Sequence, residues 1–189
     1  GLICGRSPDI AWGMTYAFSD ASDSWIEQCR DGCHYRENGD DWKPFQVRRE
    51  VIKRKKKLPV ELFFYENEYG VLDGDPHQEG YYLATRWAPG NGGAGAVEAI
   101  FEIGKVSSVA DGMAAMGKIE NGLNYVFADR HGDIGYQMTG LVPRRRAGAT
   151  GFVPLPGWLA ENDWQGFLTI EEMPRSLNPE EGFIVTANN

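Results

Sequence analysis

Tyr125-Val126-Phe127-Ala128-Asp129, a turn at Arg130-His131-Gly132-Asp133, and Ile134-Gly135-Tyr136-Gln137-Met138-Thr139 make up the stretch that decides the fold. Two runs rich in apolar and aromatic residues flank a Gly/Asp turn, which is the pattern of an antiparallel hairpin. An earlier stretch has the same build: Leu2-Ile3-Cys4-Gly5, a turn at Arg6-Ser7-Pro8-Asp9, then Ile10-Ala11-Trp12-Gly13-Met14-Thr15-Tyr16. Residues 9–15 and 133–139 are locally self-similar, but the pattern does not recur. They read as two like hairpins, not as a repeat architecture.

Between them, residues 45–52 and 60–65 read as strands joined by Lys53-Arg54-Lys55-Lys56-Lys57-Leu58-Pro59. Such a basic run suits either a phosphate or membrane-surface patch or the solvated tip of a hairpin, and in an acidic chain the tip is preferred. One stretch, 97–117, is helical, with Ile103, Val106, Ala110 and Met113 on one face. Ser108-Val109-Ala110-Asp111 is a capping-box pattern with Val106 as staple, and Gly117 can end the run. Residues 140–182 are loop-rich, with Pro143, Pro154, Pro156, Pro174 and Pro179, and such loops tend to cover a site or wrap a larger body.

The 189 residues suffice for about one domain with a real core. Nineteen Lys and Arg against 27 Asp and Glu give a net charge of −8, which argues against a nucleic-acid partner. No apolar run approaches the ~18 residues of a spanning helix, so no membrane partner is expected. Twenty-four Gly and six Trp fit a sheet protein, with glycine in turns and aromatics in strands. The chain starts without Met and ends on what reads as a strand, so it reads as a piece of something longer. Such a piece would have open strand edges, and self-association of the isolated fragment is expected.

Three cysteines, Cys4, Cys29 and Cys33, cannot all pair internally. Cys29-Arg30-Asp31-Gly32-Cys33-His34 is too long for a C-x-x-C-H haem attachment and lacks a second pair for zinc. It reads as a turn at Asp31-Gly32 with a cysteine on either side, a pair that an oxidising compartment would let bridge. The histidines are His34, His77 and His131, and no G-x-S-x-G, H-E-x-x-H or phosphate loop occurs. Ser19-Asp20-Ala21-Ser22-Asp23 remains: its carboxylates and carbonyls suit a hard cation such as calcium, or equally an Asx-type turn with solvated carboxylates.

Several blocks resemble the penicillin acylase (penicillin amidase) family. They are Ile10-Ala11-Trp12-Gly13-Met14-Thr15 followed by Asp20, Asp23 and Glu27, and Tyr125 to Asp129 leading to Asp133-Ile134-Gly135-Tyr136, Thr139-Gly140 and Pro143. Further on come Val153-Pro154-Leu155-Pro156-Gly157, Asp163-Trp164-Gln165-Gly166 and Met173-Pro174. Asn178-Pro179-Glu180-Glu181-Gly182-Phe183-Ile184, closing on Ala187-Asn188-Asn189, matches best. The blocks keep their order over nearly the whole chain.

The resemblance implies an α+β fold, a β-rich fragment of an α-β-β-α sandwich of the N-terminal-nucleophile hydrolases, and places 1–189 as one partial domain. It implies a precursor that cleaves itself and a serine whose own α-amine is the base for attack on linear amides. That serine, the other chain and the rest of the precursor would lie outside this sequence. The substrate would be a small-molecule amide, penicillin-like or an acyl-homoserine lactone; a non-catalytic, calcium-stabilised binding module is the reading from another class. By the resemblance the oxyanion donors fall on the Asn188 side chain and the Tyr16 backbone N–H, both neutral and preorganised. Asp20, Ser22 (through its carbonyl) and Asp23 match a calcium loop, and Cys4 and Ile100 match substrate-pocket positions. The family also implies an extracytoplasmic, periplasmic or secreted, bacterial-type location, which would suit a Cys29–Cys33 bridge. Tyr69-Gly70 departs from the family's frequent His-Gly, and Pro89-Gly90-Asn91-Gly92-Gly93-Ala94-Gly95 is unusually rich in glycine.

Overall fold

The computed structural model describes residues 3–36 and 41–188. In chain order come β1 (Gly5–Arg6), β2 (Ile10–Tyr16), β3 (Ser22–Arg30), β4 (Cys33–Arg36), β5 (Asp41–Pro44) and β6 (Gln46–Ile52). Then follow β7 (Val60–Asn67), β8 (Gly70–Asp73), β9 (Gly80–Trp87), α1 (Ala94–Glu102) and α2 (Val109–Met116). The chain continues through β10 (Leu123–Asp129), β11 (Ile134–Met138), β12 (Leu155–Pro156) and β13 (Arg175–Leu177). Contacts gather into two compact units, one of Gly1–Ala21, Ala88–Arg144 and Gly166–Asn189, the other of Ser22–Trp87 and Arg145–Gln165.

The first unit is built on an antiparallel sheet in the order β1-β2-β10-β11-β13. Both like hairpins are present, β1–β2 and β10–β11, but the first arm is Gly5–Arg6 and not residues 2–5. Ile3 and Cys4 are bends, Arg6 belongs to the strand, and Leu2 lies outside the described residues. The pairing of β2 with β10 joins the two hairpins. Its register sets Trp12 opposite Phe127 and Met14 opposite Tyr125, so alternate residues of both strands share a face. Ile10, Trp12, Tyr125 and Phe127 on that face are buried with Ala99, Ile103, Val109, Met113 and Met116 from the helical stretch. Gly135 lets that stretch come close: a Cβ there would lie 2.3 Å from Val109 and 2.9 Å from Met113.

The helical stretch is two helices, not one run. A 3-10 turn (Ile103–Lys105) closes α1, and Val106 is extended at φ −78° and ψ 152°. Ser108 restarts the chain as the N-cap of α2, accepting the Asp111 N–H at 3.2 Å, as the capping box implies. The Asp129 carboxylate accepts the Val109 N–H at 3.0 Å, so a sheet residue holds a second free donor of the same helix end.

The second unit has an eight-stranded sheet, β5-β4-β3-β9-β8-β7-β6, with β12 pairing parallel to β3. The Asp31-Gly32 turn between β3 and β4 has both residues at positive φ (50° and 76°), the geometry of a tight two-residue hairpin. The turn read at Asp31-Gly32 is present, and the bridge left open across it does not form. Cys29 pairs with His34, and Cys33 with Arg30, so the pleat sends the two cysteines to opposite faces. Cys29 is buried, Cys33 is half-buried, and both are free thiols, as is Cys4. The β6–β7 hairpin carries all five basic residues, 53–57, exposed near its tip, the solvated arrangement preferred from the sequence.

Candidate functional site

The β2–β10 ladder decides which way the Tyr16 N–H faces. At one end Arg130 N–H donates to the Asp9 carbonyl at 2.9 Å, and at the other Ala17 N–H donates to the Gly122 carbonyl at 3.1 Å. Hydrogen-bonded pairs therefore fall on odd-numbered residues of β2, and Tyr16, opposite Leu123, is at a non-hydrogen-bonded position. Leu123 agrees: its carbonyl accepts the Thr139 N–H at 2.8 Å and its own N–H donates to Thr139 Oγ1 at 3.2 Å. The Tyr16 N–H thus points away from β10, on the side that β1 pairs with only at Ala11 and Trp12. The Tyr16 carbonyl is taken up by Asn124, whose Nδ2 donates to it at 3.0 Å.

Asn188 lies in the same unit, half-buried, at φ 63°. That left-handed conformation suits asparagine better than any β-branched or bulky residue. Two residues earlier, the Thr186 hydroxyl oxygen is 3.4 Å from that of Thr15, the neighbour of Tyr16. The structure thus brings the terminal segment to the end of β2. Asn189, the neighbouring amide, lies outside the described residues.

The calcium loop is divided. Asp20 belongs to the first unit, Ser22 and Asp23 to the second. Asp23 is buried, and its Oδ2 accepts both Arg145 Nε at 2.7 Å and Trp164 Nε1. Ser22 Oγ donates to the Arg86 carbonyl. No group of three His, Cys, Asp or Glu side chains that could hold a metal occurs among the described residues. Calcium takes 6–8 oxygens, so the residues present do not fit it by themselves.

Ile100 lines an open cleft of about 360 Å³ together with Arg6, Trp12, Phe101 and Lys105. Cys4 is exposed and is not among the residues lining that cleft.

Sequence reasoning missed a buried polar cluster in the second unit. Glu27, fully buried on β3, accepts Arg36 Nη1 at 2.6 Å, Arg36 Nη2 at 3.1 Å and Asn67 Nδ2 at 2.7 Å. Burial pushes its carboxyl up, against the pull of Arg36 and Asn67. Arg36 also reaches Glu68 at 2.9 Å. The one advance signal is the alternation of residues 23–29, which places Asp23, Trp25, Glu27 and Cys29 on one face.

His34, buried beside this cluster, packs edge-on against Phe45 at 4.7 Å, and its Nδ1 has no hydrogen-bond partner among the described residues. Burial, then the Arg36 charge, hold its pKa down at about 4 against an ordinary 6.5. The unfolded chain therefore takes up a proton that the folded chain refuses as pH falls through this window. Stability is unaffected above pH 6.5 and falls between 6.5 and 4, by roughly 3 kcal/mol in all. Unfolding curves at several pH values should show that slope in the parent and lose it in His34→Gln. An unchanged slope in the variant would assign the effect to other groups.

The fold is one already known. A thermostable penicillin G acylase from Alcaligenes faecalis superposes with a TM-score of 0.86 at 23% identity, over 100% of this chain and 34% of that one. The penicillin amidase family model matches residues 1–189, and the chain belongs to that family. Acyl-homoserine lactone acylase QuiP of Pseudomonas aeruginosa is 29% identical over 205 residues, covering 100% of this chain and 24% of the relative. Penicillin acylase 2 proenzyme of Pseudomonas sp. strain SE83 is 32% identical over 184 residues, covering 95% of this chain and 23% of the relative. The chain thus spans about a quarter of the length of these curated relatives.

Proposed function

We propose that the longer protein containing this chain is an amide hydrolase that cleaves linear C–N bonds of N-acyl substrates. In this reading the Tyr16 N–H and the Asn188 side-chain amide receive the negative charge that develops on the scissile carbonyl oxygen. The nucleophile is an N-terminal serine supplied by the rest of the protein after self-cleavage. The observation that carries the reading is the placement of the β2 end: an N–H turned out of the ladder, with the Asn188 segment drawn alongside through Thr15 and Thr186. Two neutral donors suit a tetrahedral oxyanion because they need no reorganisation as charge builds. The substrate class follows the family: acyl groups on penicillin-like or homoserine lactone amines, with Ile100 and Cys4 proposed at the acyl pocket. An extracytoplasmic setting belongs to the same proposal. A calcium ion at Asp20, Ser22 and Asp23 would need further donors from the rest of the protein, and no step is assigned to it.

The test compares the full-length precursor, after maturation, with the 189-residue chain alone, on a panel of N-acyl amides. Turnover by the matured protein and none above background by the isolated chain is expected, because loss of the nucleophile costs orders of magnitude in rate. Specific turnover by the isolated chain would overturn the reading.

A further inference from the structure

Tyr16 can serve as a donor only if its peptide is held still, and one residue holds it from both sides. Thr15 and Asn124 face each other at a hydrogen-bonded position of the β2–β10 ladder, which fixes the Thr15–Tyr16 peptide and sends the Tyr16 N–H outward. The next peptide is pinned at both ends: its carbonyl, on Tyr16, accepts Asn124 Nδ2 at 3.0 Å, and its N–H, on Ala17, donates to Gly122 at 3.1 Å. Asn124 is itself fully buried, and its Oδ1 accepts the Tyr136 hydroxyl at 2.7 Å. A backbone carbonyl only accepts, so the nitrogen of the Asn124 amide must be the end that faces Tyr16.

We propose that Asn124 is a positioning residue for the Tyr16 oxyanion donor, with Tyr136 orienting the Asn124 amide; this rests on the oxyanion reading proposed above. A buried amide costs free energy unless both ends are bonded. An apolar side chain would fill the same strand position without that cost, but it would leave the Tyr16 carbonyl unheld just where β2 leaves the sheet. The amide therefore does what packing cannot: it sets the rotation of the peptide that follows Tyr16.

The test uses the matured full-length enzyme and Asn124→Asp, a replacement of nearly the same shape. Burial raises the carboxyl of the variant, so the series runs to high pH. Once ionised, the carboxylate still accepts from Tyr136 but repels the Tyr16 carbonyl, so kcat there should fall roughly 10- to 100-fold with KM little changed. The protonated acid can donate to the carbonyl, so the variant-to-parent kcat ratio should recover as pH falls. Packing loss alone would not give that pH-dependent rescue. A ratio independent of pH across the whole series, or a loss confined to KM, would each overturn the proposal. Should Asn124→Asp fail to fold, Tyr136→Phe removes only a hydroxyl and should lower kcat several-fold at constant KM; a parent-like kcat there overturns it too. Asn188→Ala separates the two readings. If it abolishes turnover while Asn124→Asp does not, positioning fails and the oxyanion reading stands; if neither matters, the oxyanion reading fails as well.

Discussion

On the proposed oxyanion role, Asn188→Ala in the matured full-length protein is expected to lower kcat by roughly 10²–10³, the usual cost of one oxyanion donor. KM should change much less, because the donor is worth most when charge develops on the carbonyl oxygen. The backbone here adds a control. At φ 63°, alanine meets a strain that asparagine tolerates better, so part of any loss in Asn188→Ala could come from a shifted main chain. Asn188→Gly removes the same amide without that strain, and it should lose about as much activity. A glycine variant close to the parent would assign the effect to backbone geometry. Asn188→Asp should be at least as damaging, since a carboxylate would face the oxyanion with like charge. Asn189→Ala should matter far less; if it proved the damaging change, the terminal motif would be misplaced by one residue.

The second large effect is on stability. Arg36→Met leaves the Glu27 carboxylate buried with, among the described residues, Asn67 alone donating to it. Breaking a buried pair from one side typically costs about 3–5 kcal/mol. Water cannot readily reach the abandoned group, because the loop carrying Gly157 lies directly over it. A Cβ at Gly157 would be 2.8 Å from Glu27 Oε1, and the Gly157 N–H is bonded to the Ile26 carbonyl at 2.9 Å. Replacing both partners, Glu27→Leu with Arg36→Met, should recover most of the loss, since no charge is then left unpaired. Chemical denaturation of the full-length protein measures both variants. A single Arg36→Met within about 1 kcal/mol of the parent would mean that the pair is solvated or replaceable.

Much of the first unit was legible in advance because local chemistry and tertiary structure agree there. The strands β2, β10 and β11 alternate apolar with small or polar residues and meet at Pro/Asp or Gly/Asp turns. The Ser108 cap stands where its sequence pattern puts it. The second unit hid its main strand because β3 turns two carboxylates inward. Asp23 and Glu27 share the buried face with Trp25 and Cys29, so the alternation is present but its buried half does not look buried. Asp23, read alone, suits a metal loop or a solvated turn. Only the fold supplies Arg145 and Trp164, 122 and 141 residues away. The cysteine pair stayed open for a similar reason, since a spacing of four residues cannot show that the pleat separates the two thiols.

The sequence by itself determined the hairpins, the helix cap, the acidic charge and, through blocks kept in order, the family. These are set by nearest-neighbour chemistry: turn residues, period-two alternation and side chains that bond their own backbone. Tertiary structure alone decided what the polar groups inside the sheets are for. A buried carboxylate or amide is defined by the partner that satisfies it, and the chain brings that partner from far away in sequence. Asn124 is the clearest case: a polar letter in a largely apolar strand, whose work appears only when the end of β2 and the Tyr136 hydroxyl arrive on either side of it.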